Sequence, residues 1–435
     1  MPITLVAYYL ISQVISHLNF WSIMFRLTLI LLMFVIPCSV FAEGIGIWAM
    51  GSRSNGMGGI ATASAFDPTA VFFNPAGMAR MDAPQLTISG ATIYGVMEFQ
   101  GVDPWPGYGN IETPLAEQEI LPQLYFAGPL TETISAGIGF NTPYGLGLGW
   151  ENPSGFTGRH IAVQSDIRAY YIYPSVAWQM NDKIALGMTV PIVRGSFMIK
   201  QYARELVPNP VEYAIATIEG ETVGNEYGIV FGMTADLGDG FNLGINYRSP
   251  VTLDLEGEIT FEPLDNYNGI VPPEDSSGSG VIPLPGLFSL GVSYESGNMF
   301  FETDVNLATW SNYDVLELEI DNPEIPSLSL PQEFRDVWSM RFGAEYTFTN
   351  SNQLRAGFFH DSVPQPSSRC GPALPDWVHR GLSCGVGIPI KNAQFDAFLV
   401  RLFLPTRKIR DSADGFNGNY RAAATVYGAG ITFGL

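Results

Sequence analysis

Four groups of residues in this 435-residue chain have types and spacings that could do chemistry. Gly51 to Gly59 is a glycine-rich run, but it lacks the lysine of a phosphate-cradling loop and has no strand–helix context. His160, His360 and His379 fall in or beside loop-like stretches, with no serine or aspartate on a shared strand face. That argues against nucleophilic catalysis, and Arg159-His160 reads as part of a solvated loop. We therefore expect no catalytic residues, no metal and no cofactor. Arg248 and Arg341 lie on the polar face of alternating stretches, where a guanidinium in a low-dielectric pocket pairs bidentately with a carboxylate. That carboxylate belongs either to a ligand or to the chain's own Glu302, Asp304 or Glu345, and both readings stay open. Asn74-Pro75-Ala76-Gly77 joins an amide that can bond unpaired backbone groups to a proline that fixes chain direction; a simple turn is the alternative.

The composition restricts the elements that can hold these side chains. Apolar residues make up 46% and aromatic residues 13%, while charged residues are only 14%, well below a soluble protein's usual share. Past residue 42 no stretch approaches the ~20 apolar residues of a spanning helix. A membrane-like composition without membrane helices points to strands, because a closed barrel is the other structure that satisfies every backbone group in lipid. The formal net charge of −21 excludes nucleic acid as a partner.

Alternation supports the barrel. From Val337 to Phe348 the even positions, Trp338, Met340, Phe342, Ala344, Tyr346 and Phe348, are apolar, while Ser339, Arg341, Gly343, Glu345 and Thr347 oppose them. Phe241 to Tyr247 and Phe301 to Leu307 repeat the pattern, with the apolar face toward lipid and the polar face toward the lumen. Tyr170 and Trp178 stand eight residues apart on one apolar face, roughly 26 Å along a strand, the spacing of two interfacial girdles. Short turns at 181–183, 296–298, 349–352 and 391–394 alternate with long loops at 262–285, 311–334 and 361–382. About fourteen strands result, among them 223–236, 286–295 and 335–348, and the chain closes on a strand ending at Leu435.

Three regions follow. Residues 1–42 read as a signal peptide: Arg26, the apolar run Leu27 to Ile36, then Val40-Phe41-Ala42, with Met24 as the natural start. Residues 43–84, rich in Gly, Ala and Ser and free of alternation, form a separate element. Residues 85–435 are the barrel. Cleavage removes Cys38, and the remaining pair, Cys370 and Cys384, is expected to form a disulfide outside the cytoplasm.

The stretch from Gly46 to Met81, GIWAMGSRSNGMGGIATASAFDPTAVFFNPAGMARM, resembles the N-terminal plug, or hatch, of the FadL/TodX (OMPP1) family of outer-membrane long-chain fatty acid and hydrocarbon transporters. GFNTPYGL (139–146), INYRSPVTLDLEG (245–257) and LRAG (354–357) extend the resemblance over the whole mature chain. It implies a plugged barrel of about fourteen strands that passes a hydrophobic ligand sideways by passive diffusion. The exit would lie beside a kinked third strand, here at Asn141, Thr142, Pro143 and Gly145, with Asn74 coupling the plug to that kink. Expected partners are a long-chain fatty acid or a hydrocarbon, outer-membrane lipid and lipopolysaccharide, and the barrel-assembly machinery, with the chain a monomer. A structural barrel or adhesin is the non-transport alternative.

Overall fold

The computed structural model describes residues 44–435 except 116–117, 206–210 and 266–269. The expected signal peptide, with Met24 and Cys38, lies outside the described residues. Fourteen antiparallel strands close into one ring. In chain order they are β1 (Gln85–Gly101), β2 (Gln118–Pro129), β3 (Ile134–Gly149) and β4 (Gln164–Ile172 with Ser175–Gln179). Next come β5 (Ile184–Thr189 with Ile192–Glu205), β6 (Val211–Thr222 with Val230–Gly238), β7 (Phe241–Arg248 with Val251–Pro263) and β8 (Ser276–Leu284 with Leu287–Ser296). The rest are β9 (Met299–Ala308 with Val315–Ile320), β10 (Leu328–Pro331 with Val337–Thr347), β11 (Gln353–Asp361), β12 (His379–Ile390), β13 (Ala393–Ile409) and β14 (Gly418–Gly434). β14 runs against β1 from Gln85↔Gly434 to Gly101↔Gly418, so the ring has no free outer edge there.

The alternation read from the sequence becomes two faces. In β10, Val337, Ser339 and Arg341 are buried toward the interior while Trp338 is 49% exposed. Midway along β4, β5, β7 and β8, the ladder is interrupted at Pro174, Pro191, Pro250 and Pro285, residues that cannot donate to it. Across this seam the pattern inverts. Before Pro250 in β7, Tyr247 is exposed and Asn246 and Arg248 are buried. After it, Leu253 and Leu255 are buried, and Asp254, Glu256 and Glu258 are exposed. One part of the wall thus turns apolar residues outward and the other turns acids outward, as a wall that leaves lipid for water must.

This inversion corrects the expected loops. Much of 262–285 and 311–334 is strand, at Ser276–Leu284, Val315–Ile320 and Leu328–Pro331, and β6 starts at Val211 rather than 223. These pieces lack an outward apolar row because their outer face carries Ser277, Ser279, Glu317 and Glu319, so a search for lipid-facing alternation passes them by.

Residues 44–84 lie inside the ring. They form α1 (Ser52–Gly56), α2 (Ala70–Phe73) and a 3-10 turn (Pro75–Arg80), with Met57, Ile60, Val71 and Met78 wholly buried. Such short pieces would not persist alone; inward-facing strand groups hold them. Asp304 Oδ2 on β9 accepts from the amides of Ala61 (3.0 Å) and Thr62 (3.1 Å) and from the Thr62 hydroxyl (2.8 Å). Glu302 accepts from Ala63 N at 2.7 Å and from the Ser64 hydroxyl. Gly51 N donates to Gln123 on β2, and Gly58 N to Ser383 on β12, both at 2.8 Å. Close approach requires glycine where the segment meets the wall. A Cβ on Gly187 would lie 2.3 Å from Ala76 N, and one on Gly232 would lie 2.1 Å from Asn74 Oδ1.

Candidate functional site

The wall is incomplete between β2 and β3. Their ladder runs only from Pro129↔Ser135 to Leu124↔Phe140. Beyond it β2 pairs with β1 alone and β3 with β4 alone. The cause is local to β3, where the register against β4 shifts between Asn141 and Tyr144, so Thr142 and Pro143 together oppose Tyr170. That is a bulge, which bends a strand and ends its pairing. Asn141 holds the bend: its Nδ2 donates to Tyr125 Oη and its Oδ1 accepts from Tyr173 Oη, both at 2.9 Å.

The start of the interior segment covers the unpaired edge. Gly46 bridges antiparallel to Tyr144, Ile47 N donates to Pro143 O at 2.8 Å, and Gly145 N donates to Ile45 O at 3.0 Å. Three residues thus cover β3 from Pro143 to Gly145, and its far end is bonded by residues 113–115, where Leu115 N donates to Gly149 O at 2.7 Å. Behind them lies a cavity of about 340 Å³ walled by Ile45 to Ala49, by Val400, Leu402 and Val426 of the barrel, and by Gly145 to Leu148 of the bent strand. Its titratable groups are Arg341, Asp361, Asp376 and His379. A smaller hollow of about 40 Å³ on the other side of residues 46–48 is lined by Arg248, Asn246, Asp304, Phe72 and Pro143.

The two arginines chosen from sequence both face the interior, and both are engaged by the chain itself. Arg248 Nη2 donates to Phe72 O at 2.9 Å, and its guanidinium lies 4.5 Å from the Phe72 ring. Arg341 pairs with Asp361 at 2.7 Å, donates to Gly58 O at 3.1 Å and lies 4.2 Å from the Trp48 ring. Neither uses the acids expected from the sequence. Glu302 and Asp304 hold the segment, and Glu345 pairs with Arg53 at 3.2 Å and with Arg355 at 2.5 Å. Arg355, which also pairs with Asp396 at 2.5 Å, was not singled out in the sequence, although it lies within the LRAG match. Arg159 and His160 both meet Glu212, at 2.7 and 3.1 Å.

Two expectations are corrected. Asn74 does not reach the bent strand: its Nδ2 donates to Thr62 O at 2.8 Å, Met233 O at 3.0 Å and Ile245 O at 3.3 Å, tying the segment to β6 and β7. Ile45 to Ile47 makes the bent-strand contact instead, through backbone groups that carry no sequence signature. Cys370 and Cys384 are free thiols. Cys370 is buried in the loop before β12, whereas Cys384 is on the exposed face of that strand, and its neighbours Ser383 and Gly385 turn inward. The wall separates the two side chains.

Sequence and fold comparisons agree with this architecture. The profile of the outer membrane protein transport protein family (OMPP1/FadL/TodX) matches residues 35–435. The chain is 22% identical over 367 residues to the long-chain fatty acid transport protein of Escherichia coli, covering 78% of this chain and 80% of that one. The crystal structure of a Pseudomonas aeruginosa FadL homologue superimposes with a TM-score of 0.80 at 19% identity, covering 90% of this chain and 100% of that one. The toluene transporter TodX of Pseudomonas putida gives 0.72 at 16% identity, covering 90% and 99%. A closed fourteen-strand ring with a bent third strand, matched by this profile over nearly its whole length, places the chain in the OMPP1/FadL/TodX family of outer-membrane transport proteins for hydrophobic compounds.

Proposed function

We propose that the chain passes hydrophobic small molecules, long-chain fatty acids foremost, by passive diffusion from its interior cavity through the gap between β2 and β3. Residues 44–84 act as the plug, and displacing Ile45 to Ile47 from the edge of β3 opens the way. The observation that carries this reading is the interrupted β2–β3 ladder directly beside a largely apolar cavity. Asn74, Pro75, Ala76 and Gly77 then seat the plug on β6 and β7, and the Thr142–Pro143 bulge keeps the gap open. Hydrocarbons form the second reading. It is favoured by Arg341 being ion-paired with Asp361, which leaves the cavity without an uncompensated cation at that point. The closed ring, without a free strand edge at its seam, suits a monomer set in outer-membrane lipid and lipopolysaccharide after delivery by the barrel-assembly machinery.

The register specifies the test. Two residues of β3 oppose one of β4, so deleting Pro143 alone restores regular pairing. Growth on a long-chain fatty acid as sole carbon source, in a strain lacking its own transporter, should fail for this variant while heat-modifiable gel migration shows a folded barrel. Wild-type growth at equal folded levels would exclude the sideways exit.

A further inference from the structure

The outer face of the wall changes sign around the ring toward its loop end, a feature that neither the cavity nor the gap uses. On β12 the outward residues climb from Ile390 through Ile388, Val386, Cys384 and Leu382 to Arg380, all of them exposed. Ten residues at about 3.3 Å each, tilted by about 40°, give roughly 25 Å of height, the thickness of a barrel's apolar band. Arg380 therefore stands where hydrocarbon ends. On β13 the outward row passes Leu399, Arg401 and Phe403 and, after the register shift between Leu404 and Arg407, returns to Lys408, with Arg410 exposed beyond it. Register brings these cations together. Arg380 opposes Phe403 and Leu382 opposes Arg401, so the two arginines are diagonal neighbours, roughly 7–8 Å apart at the backbone and within reach of one anion. Lys408 opposes Asn419, whose Oδ1 accepts from Arg410 Nη2 at 2.8 Å, so these two also share one spot. Arg401 donates to the neutral Thr425 hydroxyl at 2.8 Å. Among the described residues none of the four forms an ion pair, whereas their neighbour Arg421 on β14 is paired with Glu98 at 2.7 Å. The opposite sector carries the other sign. Past the proline seam the exposed positions of β6 and β7 include Glu219, Glu221, Glu256 and Glu258, with Glu221 directly opposite Glu256 and Glu219 opposite Glu258.

We propose that the outward face of β12 and β13 is a binding site for a phosphorylated glycolipid of the outer leaflet, lipopolysaccharide. Four cations without counter-charge above an exposed apolar row, in a chain of net charge −21, are the complement of a lipid that sets phosphates above acyl chains. Arg380 and Arg401 take a phosphate at the hydrocarbon boundary, where a guanidinium fork matches its oxygens and aliphatic stems can lie along the apolar wall. Lys408 and Arg410 meet anionic groups of the head higher up, and Leu382, Leu399 and Phe403 contact the acyl chains. Repulsion by the paired glutamates of β6 and β7 keeps such a head off the opposite sector, so the lipid is held on one side of the barrel. The proposal needs only the barrel's place in the outer membrane and stands apart from the transport reading.

Native mass spectrometry of the purified, detergent-solubilised chain, titrated with diphosphorylated hexa-acyl lipid A, tests this, with heat-modifiable migration as the folding check. The wild type should bind lipid A at least tenfold more tightly than the same lipid with both phosphates removed. Arg380→Gln with Arg401→Gln, and separately Lys408→Gln with Arg410→Gln, should each lower lipid A affinity at least fivefold while leaving the dephosphorylated lipid within twofold. Glu219→Gln with Glu256→Gln, on the opposite sector, should leave lipid A within twofold of wild type. Equal binding of the two lipids by the wild type overturns the proposal whether or not a variant folds, and so does unchanged lipid A binding in the folded β12–β13 variants. Displacement of lipid A by an equal concentration of inorganic phosphate would make the face a general anion site and overturn it as well.

Discussion

Replacing Asn74 with alanine should release the interior segment without dissolving the barrel. Asn74 is completely buried. Its amide donates to Thr62 O, Met233 O and Ile245 O, and its Oδ1 accepts from Ala76 N at 3.2 Å. Alanine removes all four bonds. The two shortest, to Thr62 and Met233, leave buried carbonyls short of a donor, at about 1–3 kcal/mol each where no water replaces the amide. A total of about 2–6 kcal/mol falls on the segment, because the β6–β7 ladder from Val230↔Arg248 to Asp236↔Asn242 does not depend on this side chain. At about 1.4 kcal/mol per tenfold, hydrogen exchange across residues 61–80 should accelerate by roughly 30-fold at the low end to 20,000-fold at the high end. Exchange in β6 and β7 should stay slow. Gly232→Ala should reproduce the effect from the opposite side, since its Cβ would meet Asn74 Oδ1 at 2.1 Å. Protection within threefold of wild type in Asn74→Ala, or a barrel that no longer assembles, would refute the reasoning.

Two further outcomes follow from the loop before β12. Titration of the unreduced, denatured chain without residues 1–42 should find two reactive cysteines, and none would mean that the wall does not separate Cys370 from Cys384 as described. In the folded protein at pH 8, a membrane-permeant reagent should label Cys384 well ahead of Cys370, whose thiol burial pushes up to about 11. The same loop should lose stability as pH rises. Asp376 titrates near 4 in an unfolded chain and about 7 when folded. The folded state therefore holds the proton more tightly, and its advantage, complete below about 4, is lost between about 4 and about 7. Protection factors in 362–378, taken relative to the base-catalysed exchange of an unstructured chain at the same pH, should be higher at pH 5 than at pH 8 in the ligand-free protein, and protection level in pH would show that Asp376 is solvated.

The sequence disclosed the lipid-facing half of this fold well, and physics explains where it stopped. Wherever a strand crosses lipid, every second residue must be apolar, so Trp338, Met340, Phe342 and Tyr346 announce β10 without further context. Beyond the proline seam the same wall stands in water and packs its apolar residues inward, so Leu253 and Leu255 no longer follow the rule that identified Leu243 and Ile245. The bend at Pro143 was legible because proline cannot take part in a ladder. What it touches was not, because Ile45 to Ile47 meets β3 through backbone N–H and C=O groups that any sequence supplies. Arg248 and Arg341 show the same division. Their place on an inward face follows from period two, but their partners, Phe72 O and Asp361, depend on how an irregular segment lies inside the ring. Lumen glycines held a readable trace of that path: at Gly187, Gly232, Gly244, Gly343 and Gly357 an added Cβ would fall within 2.6 Å of an atom of the segment. Inward positions that lack side chains on successive strands mark where the wall makes room for a backbone, so glycine on a lumen face locates the contents of a barrel as alternation locates its wall.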